Sequence, residues 1–230
     1  FMIGGTENTR HISPLFRFPL LFYLENAMKV INWHVYFKLQ KGNFIKKIIK
    51  TTIIFLKSLS LFSTIKSNSH LYLEKYTHNK YKQITVSDIF YNNLNEVDIN
   101  WLLDCPVVNS YAFKIKKQKE TIGFTVLYVN KRPNKIKTGR IVHISFIEQE
   151  SDWIAALNCI HKFFKMKGCS VITSLGFHPV FIKYLKKAGY TVGKGKRPVF
   201  VRDTKNIFRN LPMESIHLTF CEADIGYRGV

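Results

Sequence analysis

The sequence predicts a mixed α/β fold, a largely antiparallel sheet flanked by helices, and three observations carry that reading. Segments between Tyr111 and Ile147 alternate with the period of strands. A helical period follows from Ser151 to Lys167 and leads into a short apolar run at Val171–Leu175. The 230 residues are 46% hydrophobic and 14% aromatic, ample for a packed core in one large domain or two small ones.

The chain opens at Phe1, and Met2-Ile3-Gly4-Gly5 reads as the end of a buried strand, so the sequence is expected to begin inside a longer chain. Ile12-Ser13-Pro14-Leu15-Phe16 then reads as a helix and Lys29–Phe37 as a strand. Between Glu25 and Glu74 stand eight lysines and no acid. Within that stretch Phe44–Phe62 has helical periodicity. Ile45, Ile48, Ile49, Thr52, Phe55, Leu56 and Leu59 share one face, with Lys46, Lys47, Lys50 and Lys57 mostly off it. The lysines interrupt any run long enough to span a bilayer. Such a helix could lie on an anionic membrane surface or pack between two domains. Ile53 and Ile54 widen the apolar face, which favours packing.

Tyr111–Lys117 and Thr121–Asn130, joined by a polar turn at Gln118-Lys119-Glu120, predict a hairpin. Arg132-Pro133-Asn134 opens a loop that Gly139 closes, and Arg140–Ile147 follows as a strand apolar enough to be central. Ser151 is placed to cap a helix carrying Trp153, Leu157, Ile160, His161 and Phe164, which Lys167-Gly168 stops. After the strand at Val171–Leu175, Pro179 starts a helix with Phe181, Ile182 and Leu185 on its apolar side, ended by Gly189. Val199–Val201 and His217–Cys221 read as the last strands. An antiparallel meander thus leads into a parallel crossover.

Composition excludes some functions. Cys105, Cys159, Cys169 and Cys221 are far apart, with no CxxC pair and no zinc-ligand spacing. They read as reduced core residues of a cytoplasmic protein, one that could sit peripherally at the inner membrane surface. Thirty-five Lys and Arg against fifteen Asp and Glu give a formal charge of +20. The basic residues are spread along the chain without a recognisable nucleic-acid motif, so specific nucleic-acid binding is not expected.

The order of elements, with a helix ending in Leu185-Lys186-Lys187-Ala188-Gly189-Tyr190, resembles the GNAT (GCN5-related N-acetyltransferase) superfamily, whose corresponding helix commonly ends in Tyr-x-Lys-x-Gly-Phe. Asn100-Trp101 with Pro106, and His217-Leu218-Thr219 with Glu222-Ala223-Asp224, are similar to GNAT-like proteins of bacterial surface polysaccharide synthesis. The elements read at 2–37 match those from Val171 to Val201, which suggests a tandem. The expected organisation is residues 1–43 as the C-terminal remnant of a preceding GNAT-like unit, 44–70 as a basic linker helix and 71–230 as a GNAT-like domain.

The resemblance implies acetyl-CoA or another acyl-CoA as donor and an amine as acceptor, here an amino sugar of a surface glycan precursor. It also implies a glycine-rich loop before the first long helix, where bare N–H groups cradle the CoA pyrophosphate. This sequence has Glu148-Gln149-Glu150-Ser151-Asp152 there, with no glycine and three acids. Ile147, Glu148, Ser151, Asp152 and Trp153 are the residues that would meet the cofactor. The family's general acid, a Tyr four residues before the helix-ending glycine, is replaced by Leu185, with Tyr184 beside it but about 100° away around the helix. His143 and His178 are candidates for proton transfer, Glu148 for a base acting through water, and Trp101, Glu222 and Asp224 for acceptor binding. Two functions stay open: an acyltransferase, or a non-catalytic GNAT-like binding or pairing module. Self-association into a homo-oligomer is open as well.

Overall fold

A computed structural model of the chain describes residues 2–3, 19–59, 70–77, 90–91, 94–104, 106, 108–131, 136–200 and 210–219. In chain order the elements are β1 (Met2–Ile3), β2 (Leu20–Val30), α1 (Trp33–Leu39), α2 (Phe44–Leu59), β3 (Leu71–Lys75), β4 (Phe90–Tyr91), α3 (Glu96–Leu103), β5 (Asn109–Lys117), β6 (Glu120–Lys131), β7 (Lys137–Ile144), α4 (Glu150–Met166), β8 (Val171–Gly176), α5 (Pro179–Lys187), β9 (Thr191–Phe200) and β10 (Ile216–His217). Eight strands form one sheet in the order β1-β9-β2-β8-β7-β6-β5-β3, and β4 and β10 form a separate parallel pair. Among the described residues, only β7 and β8 run parallel within the large sheet. The fold is therefore mixed α/β with a largely antiparallel sheet flanked by helices, as expected.

The meander forms for local reasons. Gln118 turns at φ 54, so that Lys117 faces Glu120 across a two-residue hairpin. Strand β6 is central and buried on both faces. Phe124, Val126 and Tyr128 join a core on one side, with Ile99 and Leu102 of α3, while Leu127 and Val129 join the core on the other side. That second core holds Trp153, Leu157, Ile160 and Phe164 of α4 with Phe181 and Leu185 of α5. Gly139 lets α4 approach β7 closely, because a Cβ there would lie 2.5 Å from the Phe164 ring.

Strand β2 lies inside the sheet, antiparallel to β8 on one side and to β9 on the other. The segment 1–43, expected as the remnant of a separate unit, thus shares its hydrogen-bonded ladders with the segment 71–230. Residues 29–37 are not one strand. The strand ends at Val30, and Asn32 starts α1 by accepting from Val35 N–H through its side chain. The helix read at residues 12–16 lies outside the described residues.

Helix α2 begins at Phe44 as expected but does not bury its wide apolar face. Ile54 packs on the small cluster of Val30, Tyr36 and Val171, and Trp33 meets Phe55 at 5.1 Å between ring centroids. Phe44, Ile45, Ile48, Ile49, Ile53 and Leu56 remain exposed. Among the described residues no helix is long and apolar enough to cross a membrane.

Candidate functional site

The site grows from a bulge. Along β7 the partner on β6 steps from Ile141 opposite Leu127 to His143 opposite Val126, so Val142 is an extra residue. A bulge bends the strand that carries it and increases its twist. The parallel ladder with β8 ends at that point, at Ile141 opposite Ser174, although β7 continues to Ile144 and β8 to Gly176. The carboxyl ends of two parallel strands therefore part, the place where open α/β sheets usually hold ligands.

His217 of β10 fills this parting. Its Nε2 is 2.8 Å from the Ile144 carbonyl oxygen and donates to it, and burial lowers its pKa to about 4, which keeps the ring neutral. Four rings surround it, with centroids 5.4 Å away for Phe181, 5.7 Å for Phe146, 6.0 Å for His178 and 6.1 Å for Trp153. All five side chains are buried. Phe181 rests on Gly176, whose missing side chain makes the contact possible, and the Leu218 carbonyl oxygen lies close to the same point. Among the described residues, Trp153 Nε1 and His217 Nδ1 are buried here without a hydrogen-bond partner.

Of the expected catalytic residues, His178 joins the cluster and His143 lies near His217, while Glu148 and Tyr184 stand elsewhere. His143 was expected to face a cleft but is 3% exposed, with Nδ1 3.4 Å from Thr219 Oγ1. Burial, reinforced by His217, lowers its pKa to about 3, so it stays neutral. His178 is a helix cap: Nδ1 accepts from Val180 N–H at 3.2 Å and Nε2 donates to the Glu214 carbonyl at 2.6 Å. Both ring nitrogens are used, and burial lowers its pKa despite the bond to Glu214. Glu148 stands exposed past the strand end. Tyr184 is buried on α5, and its hydroxyl donates to Glu150 Oε2 at 2.7 Å.

The cofactor-binding set is divided between the core, where Trp153 is part of the cluster, and the start of α4. Ile147 and Trp153 are core residues. Ser151 does not cap α4. Gln149 occupies the cap position without a side-chain bond, Glu150 is the first helical residue and Ser151 is exposed in the first turn. Asp152, 1% exposed, pairs with Lys117 at 2.9 Å, and Glu150 takes Lys183 at 2.8 Å as well as Tyr184. The bonds from Lys183 and then Tyr184 lower the Glu150 pKa, which favours its ionised form. These residues do not fit a CoA pyrophosphate, because the N–H groups that would hold it are flanked by acids of its own charge. Of the acceptor-binding candidates, Trp101 is 61% exposed on α3, away from the cluster in sequence and on a surface, and Glu222 and Asp224 lie outside the described residues.

What sequence reasoning missed is the centre of the arrangement. Phe146, Phe181 and His217 come from three distant segments, and no local spacing joins them. The available signal was that a histidine follows or precedes a strand end three times, at 143, 178 and 217. Among the described residues no three His, Cys, Asp or Glu side chains are grouped to hold a metal ion. No family model matches this chain, and no curated protein matches it either.

Proposed function

We propose that the chain is a GNAT-like module that binds or pairs and does not transfer an acyl group from CoA. One observation carries this reading: the parting between β7 and β8 is filled by His217 and the rings of Phe146, Trp153, His178 and Phe181. A donor laid between the strand ends would have to displace a buried imidazole from its carbonyl and leave both groups unpaired, at roughly 1–3 kcal/mol for each. The acids at the start of α4 add repulsion for phosphate. The order of elements supports the GNAT-like description, and fold alone says nothing of activity.

A second reading, acyl transfer from acyl-CoA to an amine such as an amino sugar, is favoured by the Tyr184–Glu150 pair. It holds a phenol at the first turn of α4, and burial followed by the bond to Glu150 raises its pKa, keeping it a protonated donor. Calorimetric titration of acetyl-CoA into the full chain, with a thiol-release assay on an amino sugar, separates the two. The binding-module reading predicts no saturable heat up to about 1 mM, the upper end of ordinary substrate affinities, and no thiol release. Saturable binding with release that Tyr184→Phe abolishes would replace it with the second reading.

A further inference from the structure

Helix α2 leaves a run of large apolar side chains exposed. We propose that α2 docks on an anionic lipid surface, lying in the plane of the headgroups with its apolar arc facing the acyl chains. This inference stands whether or not the module binds CoA, since it uses a different part of the molecule.

The helix meets the protein along one edge. Ile54 packs on the Val30, Tyr36 and Val171 cluster, Lys47 and Thr51 are half-buried beside it, and Phe55 meets Trp33 and Phe44 meets Phe37 at 5.1 and 5.8 Å between ring centroids. At about 100° per residue, these five positions span about 100° of the helix. The arc beyond them, from Ile48 through Ile45, Leu56 and Ile49 to Ile53, covers about 140° and holds one polar residue, Thr52. All five of these apolar side chains are exposed, from 43% at Ile48 to 66% at Ile45. A contiguous apolar surface on this scale marks an interaction site rather than ordinary surface.

Charge selects the partner. Lys46 and Lys50 border the arc on one side, at about 200–240° on the same wheel, and Lys38 and Lys41 are exposed in the preceding turn. There is no acid on α1 or α2, nor anywhere between Glu25 and Glu74. A protein groove that grips a helix usually reads a narrower stripe at i, i+3, i+4 and i+7. A wide apolar arc bordered by lysines is the form of helices that sit in the bilayer interface, where apolar burial and attraction to anionic lipid act together. Sixteen residues also give only about 24 Å of helix, short of the hydrocarbon thickness, so the helix lies flat.

The test is co-sedimentation of the full chain with large unilamellar vesicles of phosphatidylcholine, alone or with about one-third phosphatidylglycerol. Two double variants are compared, Ile45→Gln with Ile49→Gln, and Lys46→Glu with Lys50→Glu, each checked for an unchanged melting transition. The expected result is binding to the anionic vesicles only. It should weaken at least about tenfold in the lysine variant and in high salt, and be lost in the isoleucine variant. Failure of the full chain to sediment with anionic vesicles would overturn the proposal. So would equal binding by the lysine variant, or self-association in solution that the isoleucine variant abolishes while vesicle binding is unaffected.

Discussion

His217 and His143 are buried as neutral rings, which couples the fold to acid. Burial, with the His178 charge adding and the bond to Ile144 opposing, brings His217 down to about 4, and His143 stands at about 3, against 6.5 for an ordinary histidine. Folded pKa values below the unfolded ones mean that the stability from keeping these rings neutral is fully present above pH 6.5. It is lost as pH falls from 6.5 to about 4 for His217 and to about 3 for His143. Each ring contributes a slope of up to about 1.4 kcal/mol per pH unit there. Urea unfolding at a series of pH values should show this fall. His217→Gln, which keeps an N–H donor but cannot titrate, should remove one proton from the slope. An unchanged slope would mean that His217 is not buried as described. None of this was legible beforehand, because His217 and Ile144 are separated by 73 positions and a lone histidine in a strand says nothing of its partner. The acids at 148–152 were legible, since an absent glycine and three carboxylates are properties of five adjacent residues.

Elements defined by local alternation were read correctly, and those defined by distant partners were not. The hairpin, β7 and the α4–β8–α5 crossover lie within a few residues of their expected bounds because period and turn residues are local signals. Helix α3 went unread despite a capping box in which Asn95 and Asp98 exchange side-chain to backbone bonds. Its apolar residues Val97, Ile99, Trp101, Leu102 and Leu103 are spread around the helix rather than along one face, so no helical period showed. The face of α2 was expected to be buried on its width, but width does not supply a neighbour. Replacing Ile45 and Ile49 by Gln should therefore change the unfolding free energy by no more than about 0.5 kcal/mol, as for ordinary surface positions. Ile54→Asp should destabilise by several times that, because it places a charge against Val30, Tyr36 and Val171. Glycines give a matched pair on two strands. A Cβ at Gly176 would meet the Phe181 ring at 2.5 Å, so Gly176→Ala should cost about 1–3 kcal/mol by overpacking. Gly193→Ala meets nothing within 4 Å and should be near neutral. Chemical denaturation of both variants checks the pair.

For the whole molecule, the position of β2 has the largest consequence. A chain beginning at Leu71 lacks the strand that joins β8 to β9, and would leave both with open edges in the middle of the sheet. Such a fragment should show no cooperative urea transition alone, and co-expression with residues 1–70 should restore one. A cooperative transition from the fragment alone would show that 71–230 folds independently, as its expected domain bounds imply. The strand order around β2 was not legible because its partners lie more than 140 residues away, and pairing partners are a global property of the chain. That the parted strand ends are filled and do not receive CoA is tested at Trp153, whose indole N–H lies buried in the cluster with no partner among the described residues. Its nuclear magnetic resonance signal should be followed in the full chain as acetyl-CoA is added. The account predicts an unmoved, slowly exchanging Trp153 resonance up to about 1 mM, the upper end of ordinary substrate affinities. A saturable shift of that signal at micromolar acetyl-CoA would contradict it.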